Sequence, residues 1–241
     1  MFDHVTIRVA DRAASGHFYE TVLAPLGYAT RHVELFDEWG DFSVAPVFDE
    51  HRLTRRLHVA FVASSRDEVD AYWRAGVEAG FQSNGEPGQR PEYHEHYYGG
   101  FLLDPDGNSV EAVHHGRPRE AGTNIDHLWV RVADLEASRR FYRTIAPVVG
   151  LSVNEDSRWG VGVFAQDRSF TLLRGEPTAN VHVAFPARDD QTVREFHRVA
   201  VEAGYGDNGP PGERAIYHPG YYSAFILDPD GNNVEAVNHN R

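Results

Sequence analysis

Six side chains in this chain of 241 residues recur in type and in spacing: His4, His58 and Glu111, then His127, His182 and Glu235. The intervals are 54 and 53 residues in the first set, 55 and 53 in the second. Imidazole nitrogens and carboxylate oxygens bind divalent metals. Two histidines and one carboxylate brought from separate strands form a facial triad, which leaves coordination positions open for water or substrate. A lone histidine on a strand is more often a hydrogen-bonded structural residue. Here that explanation has to hold at six matched positions while most neighbouring residues differ between the two sets, so metal ligation is the stronger reading.

The elements that must position these groups are themselves repeated. DHVTIRVADRAASGHFYETVLAPLG from Asp3 returns as DHLWVRVADLEASRRFYRTIAPVVG from Asp126. LHVAFVA returns as VHVAFPA, NGEPG as NGPPG, and LDPDGNSVEAVH from Leu103 as LDPDGNNVEAVN from Leu227. A period of 123 residues, from His4 to His127, is too long for a solenoid repeat and suits two copies of one domain. The expected division is 1–115 and 124–241, with a linker at 116–123 rich in Gly, Pro and charge.

Each copy divides again. HVTIRVA alternates as a strand, Asp11–Leu23 reads as a helix, and short strands follow near Tyr28–Glu34 and Phe42–Val47. The order then restarts with the strand LHVAFVA, a helix over Ser65–Gly80 and strands near Tyr97–Asp104 and Ser109–His114. Ser65 and Glu68 have capping-box spacing and Gly80 closes the helix. DPDGN supplies the turn between the last two strands. The unit is βαβββ, four times in all: an α+β fold whose sheets curl into cups. Residues two apart on a strand share a face, so His4, Thr6 and Arg8 lie together, as do His58 and Ala60, and Ser109 and Glu111.

Composition removes several chemistries. There is no cysteine, hence no disulfide, thiolate nucleophile or cysteine-bound metal. There is no lysine either, which removes Schiff-base chemistry. A net charge of −13 without a basic stripe argues against nucleic acid as a partner. No apolar run approaches the ~20 residues that span a bilayer, and the start lacks the basic segment of a signal peptide. The expected partners are a small-molecule substrate and, in assembly, a homodimer, with no nucleic acid and no membrane, in the cytoplasm.

DHVTIRVAD…FY, HVAF and LDPDGN..VEAV, present in both halves, resemble the vicinal oxygen chelate superfamily of glyoxalases, bleomycin-resistance proteins, fosfomycin-resistance transferases and extradiol dioxygenases. The resemblance covers nearly the whole chain. It implies four βαβββ modules paired into two cup-shaped glyoxalase-like domains, with metal ligands at His4, His58, Glu111, His127, His182 and Glu235. Glyoxalase I-like sites add a second glutamate about 18 residues before the second histidine; DFSVAPV and SFTLLRG stand there without an internal carboxylate, Asp41 and Asp49 only flanking the first. The remaining three-ligand pattern is similar to that of Fe(II) dioxygenases and of transferases using another divalent ion. The implied cofactor is a divalent metal, Fe(II) first, with Mn, Ni or Zn as alternatives. The implied function is metal-dependent dioxygenase, lyase or isomerase chemistry on a substrate that chelates through adjacent oxygens. The alternative is a non-catalytic, drug-binding protein of the bleomycin-resistance kind.

The dioxygenase signature in that family resembles the stretches from His94 to Glu111 and from His218 to Glu235, except that Phe101 and Phe225 replace a tyrosine. Tyr97, Tyr98, Tyr221 and Tyr222 lie near, with Tyr98 and Tyr222 the candidates for substrate contact. His94 and His218 are the candidate general acid–base groups, since histidine titrates near neutrality; each is equally well a surface-loop residue. Arg8 and Arg131, on the ligand-bearing face of their strands, suit a substrate anion or a salt bridge. Trp39 and Trp159 are candidate pocket walls or core. Each cup is expected to close within its own half, because each half holds two modules and the linker is short; exchange between halves would instead join His4 to His182 and Glu235. Up to two divalent ions per chain are expected. Elemental analysis of protein purified without chelator checks this, and absence of metal with the six residues far apart would contradict it.

Overall fold

A computed structural model describes residues 1–47, 53–117, 124–157, 160–165 and 168–241. The first module is β1 (His4–Val9), α1 (Arg12–Leu23), β2 (Arg31–His32), β3 (Asp37–Trp39) and β4 (Phe42–Pro46). The second is β5 (Leu57–Val62), α2 (Arg66–Glu78), β6 (Ser83–Gln89), β7 (Tyr98–Leu103) and β8 (Ser109–His114). The third is β9 (Ile125–Val132), α3 (Leu135–Ile145), β10 (Ser152–Ser157), β11 (Gly160–Ala165) and β12 (Arg168–Arg174). The fourth is β13 (His182–Pro186), α4 (Asp190–Glu202), β14 (Gly206–Glu213), β15 (Tyr222–Leu227) and β16 (Asn233–Asn238). The α+β fold of four βαβββ modules is thus present. Among the described residues no helix is long and apolar enough to cross a membrane.

Local chemistry explains the helix starts. Asp11 and Asp134 each accept two backbone N–H bonds, from Ala13 and Ala14 and from Glu136 and Ala137. Ser65 and Asp189 cap α2 and α4 through Glu68 N and Thr192 N. The reciprocal arm of the capping box reaches one residue further back than expected, because Glu68 Oε2 accepts from Ser64 N at 2.7 Å. Each helix buries one stripe: Phe18, Tyr19, Val22 and Leu23 in α1, and Val193, Phe196 and Ala200 in α4. Strands β3, β6 and β14 lack apolar alternation, which hid them in the sequence. The last two are edge strands made of Gly, Pro and polar residues with shifts in register.

The strand orders are β14-β15-β16-β13-β1-β4-β3-β2 and β10-β11-β12-β9-β5-β8-β7-β6. Each first strand therefore lies beside a strand of the other half, contrary to closure within one half. Asp3 N donates to Ala184 O at 2.9 Å, and Val62 N to Asn124 O at 2.9 Å. The compact units follow this exchange: Thr6–Leu128 is one, and Trp129–Arg241 with Met1–Val5 is the other. In the first, Phe18, Tyr19, Trp39, Phe42, Phe61 and Tyr72 are fully buried; in the second, Phe141, Tyr142, Phe170, Phe185 and Phe196 are.

The DPDGN turn sets the register that matters for the site. Asp104 Oδ1 accepts from Asp106 N and Asn108 N, and Asp104 Oδ2 from the Asn108 amide and the Tyr19 hydroxyl. Asn108 also takes Leu57 N and donates to Thr54 O, which ties the turn to the start of β5. Asn232 and Asp228 repeat the pairing, with Val181 N as the tie to β13. Parallel pairing then aligns Ala60 with Glu111 and Ala184 with Glu235, and keeps His58 and His182 on the face of their glutamates. Asn108 is buried, so Asn108→Ala is expected to destabilise the fold by about 1–3 kcal/mol for each buried group left without a partner. Urea unfolding reads this, and wild-type stability would rule the tie out.

Candidate metal centres

Two clusters form, one in each compact unit. His4, His182 and Glu235 are one; His58, Glu111 and His127 are the other. In each, three potential ligand atoms lie within 4.8 Å of one another. In the first, His4 Nε2 is 3.1 Å from His182 Nε2 and 3.6 Å from Glu235 Oε2, and His182 Nε2 is 2.9 Å from that oxygen. In the second, His58 Nε2 is 3.3 Å from His127 Nε2 and 3.1 Å from Glu111 Oε2, which lies 3.7 Å from His127 Nε2. All six expected ligands are brought together, but across the halves. The reason is the strand exchange: β1 carries His4 to β13, and β9 carries His127 to β5.

The aspartate behind the first histidine of each cluster favours a state suited to metal. His4 Nδ1 meets Asp3 Oδ1 at 2.8 Å and His127 Nδ1 meets Asp126 Oδ1 at 2.7 Å. A carboxylate only accepts, so Nδ1 carries a hydrogen, and it is the Nε2 atom that faces the cluster and would offer its lone pair to a metal. His58 Nδ1 meets Ser109 Oγ at 3.0 Å, and His182 Nδ1 the Asn233 amide at 2.6 Å. Tyr97 donates to Glu111 Oε1 at 2.6 Å and Tyr221 to Glu235 Oε1 at 2.9 Å, leaving Oε2 toward the imidazoles. Glu111 Oε2 is buried and accepts no hydrogen bond. Burial pushes the Glu111 carboxyl up to about 7, against the lowering influence of His127 and Tyr97. Burial and the adjacent carboxylates raise the Tyr97 and Tyr221 hydroxyls well above the usual phenol range. This donor set, with a buried carboxylate oxygen aimed at two imidazole nitrogens, fits a divalent cation.

The aspartates continue outward. Asp3 Oδ2 accepts from His239 Nε2 at 2.9 Å, and His239 Nδ1 meets His218 Nε2 at 2.8 Å. Asp126 accepts from His115 Nε2 at 3.0 Å, and His115 Nδ1 meets His94 Nε2 at 2.6 Å. Burial alone would raise both aspartates, but the hydrogen bonds and charge of their two histidines hold them below the usual carboxylate range. Burial would likewise lower His115, yet the bond to Asp126 raises it, whereas burial and the neighbouring His115 lower His94.

Several expected residues lie elsewhere. His94 and His218 are not among the cluster residues; each reaches its cluster through this chain of hydrogen bonds and packs edge-on against Tyr97 or Tyr221 at 5.5 and 5.3 Å. Tyr98 points away from Phe101 on β7 and bonds Asp70 Oδ1 on α2, while Tyr222 lies beneath Arg194 of α4. Strand parity selects Tyr97 and Tyr221 in their place. Trp39 is core, packed on Tyr19 and Phe42 at 5.5 and 6.3 Å. Arg8 donates to Pro46 O at 3.4 Å, and Arg131 is exposed. Trp159 and Asp49 lie outside the described residues. Asp3, Asp126, His115 and His239 carried the signal that marked the ligands, since each recurs at its matching place in the other half.

The crosswise pairing gives a stoichiometric test. His4→Ala combined with Glu235→Gln should empty one cluster and leave one metal per chain. His4→Ala combined with Glu111→Gln should empty both. Elemental analysis that gave the opposite result would restore closure within each half.

The sequence profile of the Glyoxalase/Bleomycin resistance protein/Dioxygenase superfamily matches residues 1–112 and 124–236. No curated protein matches the chain. Glyoxalase I from Zea mays is similar in structure, with a TM-score of 0.66, 20% sequence identity, and coverage of 99% of this chain and 92% of that one. A putative dioxygenase from Bacillus subtilis has a TM-score of 0.65 at 14% identity, covering 98% of this chain and 84% of the other. At these identities the likeness is one of fold. The profile match over both halves, together with four βαβββ modules, means that the chain belongs to the Glyoxalase/Bleomycin resistance protein/Dioxygenase superfamily.

Proposed function

We propose that the protein is a divalent-metal-dependent enzyme with two metal centres per chain, acting on a small substrate that chelates through adjacent oxygens. The observation that carries this reading is the convergence, twice, of two imidazole nitrogens and one buried carboxylate oxygen. A bound divalent ion would act as a Lewis acid on the substrate oxygens, stabilising the negative charge that develops there. Fe(II) suits two histidines and one carboxylate best, with Mn, Ni and Zn as alternatives. No carboxylate joins as a fourth ligand among the described residues. On β4 the position facing Thr6 is Ser43, whose hydroxyl meets the threonine at 2.7 Å. This favours dioxygenase- or lyase-type chemistry over an isomerase with four protein ligands.

The chain's own residues have distinct tasks. Asp3 and Asp126 fix the tautomer and orientation of His4 and His127. Tyr97 and Tyr221 hold one carboxylate oxygen, so that the other keeps its aim. Their raised hydroxyls stay protonated at neutral pH, which makes them orienting donors and poor bases. Phe101 and Phe225 lie 6.1 Å from the rings of His58 and His182 and keep water from that side. His94 and His218 act through the hydrogen-bonded chain behind the first histidine.

The test is to load the protein separately with Fe(II), Mn, Ni and Zn, then screen catechols with an oxygen electrode and thiol–aldehyde adducts by absorbance. Turnover that needs metal and is lost on chelation supports the reading. Tight binding of chelating ligands without turnover of any class would replace it with a sequestering protein. Asp3→Asn should weaken metal binding at the His4 cluster by about 10–100-fold while sparing the other. Unchanged affinity in competition with a chelator would refute the positioning role.

A further inference from the structure

The repeated NGEPGQR at Asn84–Arg90 and NGPPGER at Asn208–Arg214 run along edge strands β6 and β14, with the arginine one residue past each strand's end, and contribute no residue to the clusters. Both nonetheless wrap the same wall of a metal centre. Phe101 pairs with Glu111 on one side and Gly85 on the other, so its ring stands on the glutamate's face. Phe225 does the same between Glu235 and Gly209. Gly85 and Gly209 have φ of +153° and +157°, and a Cβ there would lie 3.0 and 2.8 Å from the phenylalanine ring. Only glycine meets both demands.

The motif ends on an arginine laid over that ring. Arg90 Cζ is 5.5 Å from the centroid of Phe101, and Arg214 Cζ is 5.4 Å from that of Phe225. Across each sheet the order along one face is histidine, glutamate, phenylalanine, arginine. Backbone carbonyls orient the guanidinium: Arg90 donates to Gln89 O and Glu86 O, and Arg214 to Pro210 O. A guanidinium has five N–H donors, so most remain for a ligand. Neither arginine meets a carboxylate among the described residues, although the chain carries 36 acidic residues against 23 basic ones. A half-buried arginine held over an aromatic ring is suited to bidentate capture of a carboxylate.

We propose that Arg90 and Arg214 are the anion-recognising residues of the two centres, and that the substrate bears a carboxylate in addition to the oxygen pair that chelates metal. The carboxylate would sit on the far side of Phe101 or Phe225 from the chelating end, with the body of the substrate against that ring. This rests on the proposed metal chemistry and narrows its substrate to small hydroxylated acids.

The experiment uses Zn-loaded protein and two probes that share a vicinal diol, catechol and 3,4-dihydroxybenzoate, with calorimetric titration. Catechol binding alone tests the metal-chelation reading. The ratio between the probes tests the arginines. The wild type should prefer the acid by about tenfold or more, the scale of one charge-assisted pair. Arg90→Met with Arg214→Met should bring the ratio close to one, with metal content and thermal midpoint showing the variant to be folded. Arg→Lys at both positions should recover part of the preference. A wild type that binds both probes equally, or a preference that survives in the methionine variant, overturns the inference while leaving the metal chemistry standing. Failure of the metal-loaded protein to bind either probe overturns both.

Discussion

Each compact unit buries one glutamate almost completely, Glu111 and Glu235 both at 1% exposure. A carboxylate taken out of water loses solvation worth several kcal/mol unless charge and hydrogen bonds replace it. The surroundings of both glutamates answer that requirement. One oxygen takes a tyrosine hydroxyl, and the other faces two imidazoles. For Glu111 these protein groups do not offset the burial, and its carboxyl stays raised to about 7. A divalent cation between that oxygen and the two imidazoles would supply the missing charge, which is why the buried acid on the last strand of a module is central to the proposed function.

That buried acid dictates much of the local architecture. It must sit at one register on the strand after a tight turn, so the turn is anchored by a buried Asp–Asn pair to the strand bearing the second histidine. It needs the first histidine from a strand that β5 and β13 do not reach through their own half. Pairing of β9 beside β5 and of β1 beside β13 supplies it. The aspartate before that first histidine is half-buried and is held ionised by the hydrogen bonds of two imidazoles. Three consecutive links, histidine to aspartate to histidine to histidine, therefore run outward from each centre with matched geometry.

The two clusters match in residue type but not in every neighbour. Ser109 stands behind His58 where Asn233 stands behind His182. The edge-strand motif is kept in both, down to the asparagine that reaches the group behind the second histidine: Asn84 to Ser109 and Asn208 to Asn233. One short segment thus supports a ligand, clears room for an aromatic wall and presents a cation.

Repetition made the six ligands and the βαβββ order legible, because chemistry-bearing residues recurred at fixed spacing while their surroundings changed. Strand period placed His4, His58 and Glu111 on faces, and the capping-box spacing at Ser65 marked a helix start within a residue, since both depend on contacts a few residues apart. Which triad each histidine joins was not legible. Both pairings place the same residues on the same faces, and only the hydrogen-bonded edge chosen by β1 and β9 separates them. Tyr97 was indistinguishable from Tyr98 until the start of β7 was placed, because a one-residue change of phase exchanges the faces of a strand. The edge strands that lead into Arg90 and Arg214 have no apolar alternation, and their pairing is set by the neighbours β7 and β15. Local pattern determined which groups are available for chemistry; long-range strand pairing decided which of them meet.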